Sequence, residues 1–290
     1  MHSLPRVRIW LAAIVLVVSS VWVHALERVE AGMVKAATGV EAATGVEAAT
    51  GVEAEEIAVE EVTAQGLIEG ALDLMRGTTS YTEMSMIVHR PDWERSSALI
   101  AWTRGREDAL IRFTEPARDA GNATLKTGDK MWTYTPKLNR TIRLPYSLMS
   151  QSWAGSDFSY NDLSRTDDIL RYYDMTITGV TEDEDHKIYT LEGIPHEDSP
   201  VVWGKEVWVL RDDFVLISQS FYDQSMKLLK RLETLEIGEL GGRVLGTRMR
   251  MNKIEEPEDY TEISYDAADF DIELEDRTFT VFSLQSGGRR

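Results

Sequence analysis

Two short stretches decide the fold: residues 128–136 read GDKMWTYTP, and residues 155–163 read GSDFSYNDL. The first alternates, with Trp132 and Tyr134 on one side of an extended chain, and this pattern predicts a β-strand after a glycine turn. The second breaks the alternation. Gly155 permits a tight turn, and Ser156 or Asp157 is predicted to cap a short helix that follows. The two stretches together predict a sheet interrupted by one helical segment.

Alternating stretches of this kind recur from residue 80 to residue 265, and turn signals such as Gly241-Gly242 separate them. Strands at this spacing, roughly ten of them, favour an antiparallel meander. The alternation lapses only in residues 147–171. Before the strands, an apolar stripe at helical spacing between Thr63 and Arg76 predicts a helix that Gly77 ends. A sheet of this size curls toward a barrel, and a barrel that admits a helix leaves a pocket.

The chain divides into three parts. Arg6 and Arg8 precede an apolar run that ends near Ala25, so residues 1–25 are predicted to be a cleaved secretory signal peptide. Residues 36–53 repeat AATGVE three times, and residues 26–62 are predicted to be a low-complexity linker. Residues 63–290 form the predicted domain. Which role the repeat has is left open.

Composition removes many function classes. The chain has no cysteine, so disulfides, thiolate metal sites and cysteine nucleophiles are excluded. A net charge of −18 argues against binding nucleic acid. No histidine pair at ligand spacing, phosphate-binding glycine loop or serine elbow occurs, so neither a metal nor a cofactor is expected. The interpretation is a protein that is not an enzyme, with a secreted hydrolase as the weakest alternative.

The sequence is rich in large apolar side chains at alternating strand positions. Methionine is unbranched and adapts to ligands of varying shape, and tryptophan supplies rigid apolar area. Such a set indicates either a packed core or a pocket for acyl chains. The candidate cavity residues are Met84, Met86, Val88, Trp102, Ile111, Phe113, Trp132, Tyr134, Trp208, Met249 and Met251.

The stretch from Phe113 to Leu163 resembles the outer-membrane lipoprotein-sorting family of periplasmic proteins, the LolA-like group. The resemblance rests on FTEP at 113–116, the two stretches quoted above, and Arg140 and Arg143. It continues through residues 203–230 to the tail at 279–284. It implies a mainly β fold with a few helices: an incomplete antiparallel β-barrel wrapped over an N-terminal helix and a short lid. The lid or clasp motif comprises Gly155, Ser156, Asp157, Phe158, Tyr160 and Asp162.

The same resemblance implies a function. We expect a periplasmic carrier in a Gram-negative bacterium that buries acyl chains of a lipid or lipoprotein and moves them toward the outer membrane. The expected partners are the cargo, an inner-membrane transporter of the resistance-nodulation-division or ABC type, and transient membrane contacts of a monomer. In the well-studied carrier an arginine closes the cavity; Arg95, Arg104 and Arg112 are the candidates here. The alternative is a regulator of the same fold that senses lipid or misfolded outer-membrane protein.

Overall fold

A computed structural model of the chain describes residues 62–164, 167–183 and 185–286. The predicted signal peptide, 1–25, lies outside these residues, and so does the predicted linker apart from Val62. Within the described part, the predicted class is confirmed: the protein is mainly β, with an open antiparallel sheet and a few helices.

The sheet has thirteen strands where the sequence predicted about ten. Two of the thirteen strands do not show the alternating pattern on which the predicted count rests. The side chains of Ala123–Thr127 are buried almost continuously, so the strand does not alternate, and Arg140–Arg143 is a short, largely exposed strand. The strands are Thr79–Arg90 (β1), Trp93–Arg104 (β2), Asp108–Glu115 (β3), Ala123–Thr127 (β4), Lys130–Thr135 (β5), Arg140–Arg143 (β6), Tyr173–Asp183 (β7), His186–Pro195 (β8), Lys205–Arg211 (β9), Leu216–Tyr222 (β10), Leu228–Leu240 (β11), Arg243–Lys253 (β12) and Tyr260–Phe270 (β13).

The strand order is β6-β5-β4-β3-β2-β1-β13-β12-β11-β10-β9-β8-β7. Two meanders, β1–β6 and β7–β13, therefore meet where the first strand pairs with the last. In that pair, Val88 lies opposite Thr261 and His89 lies opposite Tyr260. The edge strands of the sheet are β6 and β7, which are consecutive in the chain.

The N-terminal helix, α1 (Ala64–Arg76), begins and ends where the sequence predicts. The Thr63 side chain accepts a hydrogen bond from the Gly66 amide at 3.1 Å, and Gly77 ends the helix with a φ of 60°. Its apolar stripe is buried against one end of the sheet. Leu67, Ile68 and Leu72 contribute the largest side chains of this face, each worth roughly 1.5–3 kcal/mol when fully buried.

Short helices fill the connection between the two meanders. This connection, residues 147–171, is called the lid segment below. It begins within a 3-10 turn at Tyr146–Leu148 and continues through a second 3-10 turn at Trp153–Gly155 and the helix α2 (Tyr160–Ser164) into α3 (Asp168–Tyr172). The interruption that the sequence predicts is therefore present and helical.

A C-terminal tail follows β13. It forms a 3-10 helix at Asp276–Phe279 and the short helix α4 (Val281–Ser286), which packs against β4, β5 and β6. Arg112 of β3 holds this tail, because its buried guanidinium donates to the carbonyl oxygens of Ser283 at 2.8 Å and Leu284 at 3.2 Å. One face of β2–β5 is thus covered by the tail.

Candidate functional site

The site is a cavity of about 310 Å³ between α1, one face of the sheet and the lid segment. Its wall is formed by alternate side chains along the strands. Side chains two positions apart along each strand face the same side, so β1, β2, β3, β12 and β13 each contribute a row of residues. These rows are Ser80, Thr82, Met84 and Met86; Leu99, Ala101 and Thr103; Ala109 and Ile111; Met249 and Met251; Ile263 and Tyr265.

The two ends of the cavity differ in the elements that close them. Helix α1 contributes Ala71, Leu72, Met75 and Arg76, and the lid segment contributes Trp153, Phe158, Asn161, Asp162 and Leu163. Arg76 ends α1 three positions before β1 begins, whereas Asp157 of the lid segment binds Arg90 at the other end of that strand. The lid segment also reaches the α1 end, because α3 contacts α1 and its residues Asp168 and Ile169 line the same cavity.

Six of the residues that the sequence proposed line this cavity: Met84, Met86, Ile111, Trp208, Met249 and Met251. Val88 and Phe113 lie beside it, in a buried cluster with Trp153 and Phe158 beneath the lid. The cavity wall is therefore rich in methionine, whose three rotatable bonds let it conform to an apolar ligand.

Three proposed residues lie elsewhere. Trp102, Trp132 and Tyr134 belong to a second cluster, formed with Phe279 and Leu284 of the C-terminal tail. Alternation places Ala101 toward the cavity and Trp102 on the opposite face, and that opposite face is also buried because the tail covers it. The sequence pattern separates the two faces of a strand, but it does not indicate which of two buried faces encloses the cavity.

The lid motif is partly in the cavity wall. Phe158 and Asp162 line the cavity, Tyr160 packs against the cluster beneath the lid, and the buried Ser156 hydroxyl donates to the Trp153 carbonyl at 2.7 Å. Gly155 has a φ of 69°, a conformation that favours glycine, and a Cβ there would lie 3.5 Å from the Arg95 guanidinium. The tight turn expected at Gly155 is present.

The expected helix cap was wrong in position. Helix α2 begins at Tyr160, so neither Ser156 nor Asp157 is adjacent to its first turn. Ser159 is the capping residue. Its hydroxyl accepts from the Asp162 amide at 3.2 Å, and the Asp162 carboxylate accepts from the Ser159 amide at 2.6 Å, as in a reciprocal capping box.

Asp157 instead ties the lid segment to the sheet. Its side chain is 0% exposed and accepts two hydrogen bonds from Arg90, at 2.9 and 3.1 Å, and one from the Thr261 hydroxyl at 2.7 Å. The Asp157 amide also donates to the Thr261 oxygen at 2.9 Å. Arg90 ends β1 and Thr261 lies on β13, so one lid residue bonds to both strands of the central pair. We call this contact the Asp157 latch.

The arginine that holds the lid is therefore Arg90, which the sequence analysis did not single out. It stands in an Arg-Pro-Asp turn, and nothing in that pattern indicates a partner 67 positions away. Among the earlier candidates, Arg95 does contact the lid, since it donates to the Ala154 carbonyl. Arg104 binds Asp108 and Asp276, and Arg112 binds the C-terminal tail, so neither of those two arginines contacts the lid through these bonds.

A second ion pair secures α2. The Lys230 ammonium lies 2.5 Å from the Asp162 carboxylate, and both side chains are more than nine-tenths buried. The same ammonium lies 4.9 Å from the ring centres of Trp203 and Phe221, a cation–π geometry. Removing one partner of such a buried pair leaves an unpaired charge, so this contact holds α2 over the cavity.

A buried carboxyl group lies in the same part of the cavity wall. Glu206 accepts hydrogen bonds from Trp208 Nε1 at 3.1 Å and from Gln219 Nε2 at 2.8 Å. Burial raises the pKa of Glu206 to about 7, although both hydrogen bonds and Lys230 favour its ionised form. Near neutral pH this group therefore exchanges between the neutral and ionised forms.

One surface cluster has donor atoms close enough for a metal ion: His186, Asp212 and Asp213. The guanidinium of Arg211 already lies among them, bonded to His186 Nε2 at 2.6 Å and to Asp213 at 2.6 Å. Because an arginine supplies the positive charge there, this cluster is explained as an ion-pair network. Among the described residues, no helix is both long and apolar enough to cross a membrane.

Comparisons with known proteins agree with this architecture. A family model whose members are described as uncharacterized proteins matches residues 105–286, which is more than half of the chain. No curated protein matches the chain.

Three solved structures have similar folds. A DUF1329 family protein from Desulfovibrio piger aligns with a TM-score of 0.68 and 23% identity, covering 77% of this chain and 99% of its own. A putative outer membrane lipoprotein-sorting protein domain from Vibrio parahaemolyticus has a TM-score of 0.66 and 22% identity, with 77% and 100% coverage. A LolA superfamily protein from Nitrosomonas europaea has a TM-score of 0.65 and 23% identity, again with 77% and 100% coverage. These likenesses establish the fold.

Proposed function

From the premise that this chain belongs to the DUF1329 family of uncharacterized proteins and has the LolA-superfamily fold, we propose that it is a carrier of lipid or lipoprotein acyl chains. It acts in the periplasm, without catalysis, and carries its cargo toward the outer membrane. The observation that carries this proposal is the apolar cavity closed by a lid that two buried ion pairs hold in place.

The size and surface of the cavity suit an acyl chain. Its volume of about 310 Å³ falls at the lower end of small-molecule sites, which span roughly 300–1,000 Å³. Each methylene that leaves water for such a surface contributes about 0.8 kcal/mol, so a twelve-carbon chain gains on the order of 10 kcal/mol. Cargo held this tightly leaves slowly unless the lid opens.

The need for an opening step supports a docking partner at each membrane. Loading from an inner-membrane transporter of the resistance-nodulation-division or ABC type would disturb the Asp157 latch, and release near the outer membrane would disturb it again. The net charge of −18 disfavours adsorption to anionic lipid and favours partners with basic surfaces. Membrane contact is then brief, and the working form is a monomer.

Filling the cavity tests the proposal. Ala101 lines the cavity on β2, whereas Ala267 is exposed on β13, so Ala101→Phe and Ala267→Phe make the same change inside and outside the site. We expect Ala101→Phe to weaken binding of a fluorescent fatty acid at least tenfold and Ala267→Phe to leave it within twofold. Thermal unfolding of both variants confirms that they are folded, and Ala109→Phe on β3 serves as a second cavity variant.

Two results would contradict the carrier. Folded Ala101→Phe and Ala109→Phe variants that bind the probe as tightly as the unaltered chain would show that the cavity is not the binding site. If no lipid co-purifies with the chain under gentle conditions and the chain also does not bind the probe, the result would favour the regulator with the same fold.

A further inference from the structure

A glutamate in the cavity wall has one carboxylate oxygen that the protein leaves unbonded. Alternation along β9 places Glu206 and Trp208 toward the cavity, and Glu206 is 7% exposed. Its two hydrogen bonds, from Trp208 Nε1 and Gln219 Nε2, both go to Oε2. Within the described residues, Oε1 of Glu206 therefore accepts no hydrogen bond.

This oxygen is within reach of a ligand. In the part of the chain that the structure describes, the unpaired side-chain atoms that are fully enclosed lie on Ser97, Arg112, Asn161 and Asp162. Oε1 of Glu206 is not one of them, so it keeps accessible surface in the cavity that Glu206 lines. The Tyr173 hydroxyl lies nearby, but it donates its only hydrogen to the Trp203 carbonyl oxygen at 3.2 Å.

The charges of the wall leave Glu206 without a counterion. The other charged side chains of the described cavity wall are Arg76, Asp162 and Asp168. Asp162 is matched by Lys230, and Arg76 and Asp168 bring opposite charges on α1 and α3, two helices in contact. No cation among the described residues forms an ion pair with Glu206, so its ionised form adds an uncompensated negative charge to the cavity.

Such a carboxyl group is costly to bury, and a glutamine of the same size would avoid the cost. Burial raises the pKa of Glu206 to about 7, so the group is largely ionised at pH 8. A perturbed carboxyl group in a cavity is a typical sign of a functional site. A ligand carboxylate or phosphate would be repelled there, and a hydroxyl would leave the charge unmatched. An ammonium group supplies both a positive charge and hydrogen-bond donors.

We propose that the cargo is a lipid amine, an apolar chain whose ammonium group binds Oε1 of Glu206 inside the cavity. This inference rests on the proposed carrier function and specifies its cargo. The apolar chain lies against the methionine-rich wall that includes Met249 and Met251. Because Asp162 already binds Lys230, the ligand ammonium binds the carboxylate that has no cation of its own.

Three probes with the same twelve-carbon chain separate the chemistry. At pH 8, dodecylammonium is positively charged, dodecanol is neutral and dodecanoate is negatively charged. We expect the purified chain to bind dodecylammonium at least tenfold more tightly than dodecanol, and dodecanoate least tightly, measured by displacement of a fluorescent fatty acid. A high salt concentration screens the acidic protein surface, to which a cation would otherwise adsorb.

The preference for the ammonium should depend on pH. The charged and titratable groups of the surrounding elements are Arg76 on α1, Asp162 on α2, Asp168 on α3, Tyr173 on β7 and Lys230 on β11. Burial raises the pKa of Tyr173, so this phenol stays neutral. Only ionised Glu206 attracts an ammonium, and between pH 8 and pH 6 its ionised fraction falls from about nine-tenths to about one-tenth. Dodecylammonium binding should therefore weaken about tenfold, whereas dodecanol binding should change less than twofold.

A variant locates the site. Glu206→Gln removes the charge and keeps the side-chain size, so the preference for dodecylammonium over dodecanol at pH 8 should fall by at least fivefold while dodecanol still binds. The control is Glu192→Gln, because Glu192 on β8 pairs with Lys205 at 3.2 Å and does not line the cavity. Its preference should equal that of the unaltered chain, and thermal unfolding shows that both variants are folded.

The outcomes are distinguishable. Equal binding of dodecylammonium and dodecanol, or tighter binding of dodecanoate, would overturn the lipid-amine inference and leave the carrier in place. Failure of all three probes to bind would overturn the carrier function and the inference with it. A preference that is unchanged in folded Glu206→Gln, or that does not change with pH in the unaltered chain, would show that the ammonium binds elsewhere and so refute the site.

Discussion

Breaking the Asp157 latch from the sheet side should open the lid without unfolding the domain. In Arg90→Met, the Asp157 carboxylate loses its main cationic partner but stays in a position that is 0% exposed. Removing one partner of a buried ion pair costs about 3–5 kcal/mol. Because Lys253 lies 3.6 Å from the same carboxylate and Arg90 is 15% exposed, we expect the lower end, about 3 kcal/mol.

Amide hydrogen exchange measures this directly. Three of the amides that donate within the lid segment report on it: Trp153 donates to Phe158 at 2.7 Å, Tyr160 to Gln151 at 3.1 Å, and Asn161 to Met149 at 2.7 Å. A loss of about 3 kcal/mol in local opening free energy accelerates their exchange by about a hundredfold. Amides in β8 and β9, far from the latch in strand order, should exchange at the original rate.

Two further variants isolate the latch. Asp259 binds the same arginine at 3.2 Å but lies outside the lid, so Asp259→Asn should accelerate lid exchange less than tenfold. Adding Asp157→Asn to Arg90→Met removes the stranded charge, so the double variant should recover part of the protection. Lid exchange that is unchanged in Arg90→Met, or that rises equally throughout the sheet, would refute the latch.

Two other predictions concern buried charges. Burial raises the pKa of Glu206 to about 7, whereas the unfolded chain releases the same proton near pH 4.5. The stability that this carboxyl group contributes is therefore lost as the pH rises from about 4.5 to about 7. Glu206→Gln should therefore have the same free energy of unfolding as the unaltered chain near pH 4.5 and a larger one at pH 8, by on the order of 2–3 kcal/mol in urea unfolding. Equal free energies of unfolding at pH 8 would contradict this. Arg112→Met should cost about 2 kcal/mol and expose the C-terminal tail to proteolysis, because Ser283 and Leu284 lose a charged donor, whereas the exposed Arg118→Met should change neither.

Local patterns predicted much of this fold. The stripe through Leu67 and Leu72 predicted α1, and alternation at Met84 and Met86 predicted β1 and the side of it that faces inward. These features depend on neighbours within a few positions, which a sequence displays directly. The break in alternation at residues 147–171 likewise predicted the lid segment.

Features that join distant parts of the chain were not predictable in this way. The C-terminal tail buries the outward face of β2, so apolar side chains surround Trp102 just as they would surround a residue of the cavity wall. Arg90 meets Asp157 only because β1 pairs with β13 and the lid segment crosses that pair. The unpaired oxygens of Asn161 and Asp162 become visible only when every neighbouring donor is placed.

The pairing of β1 with β13 also has a consequence for folding kinetics. Each meander contains mostly contacts between chain neighbours, which form early, whereas the central pair joins residues about 180 positions apart and pays a larger loop-closure entropy. Asp157 bonds to Arg90 on one strand and Thr261 on the other, so its contacts are complete only after the two meanders have joined. A newly made chain therefore closes the lid segment as a last step, and a chain that has formed only one meander cannot yet enclose the cavity.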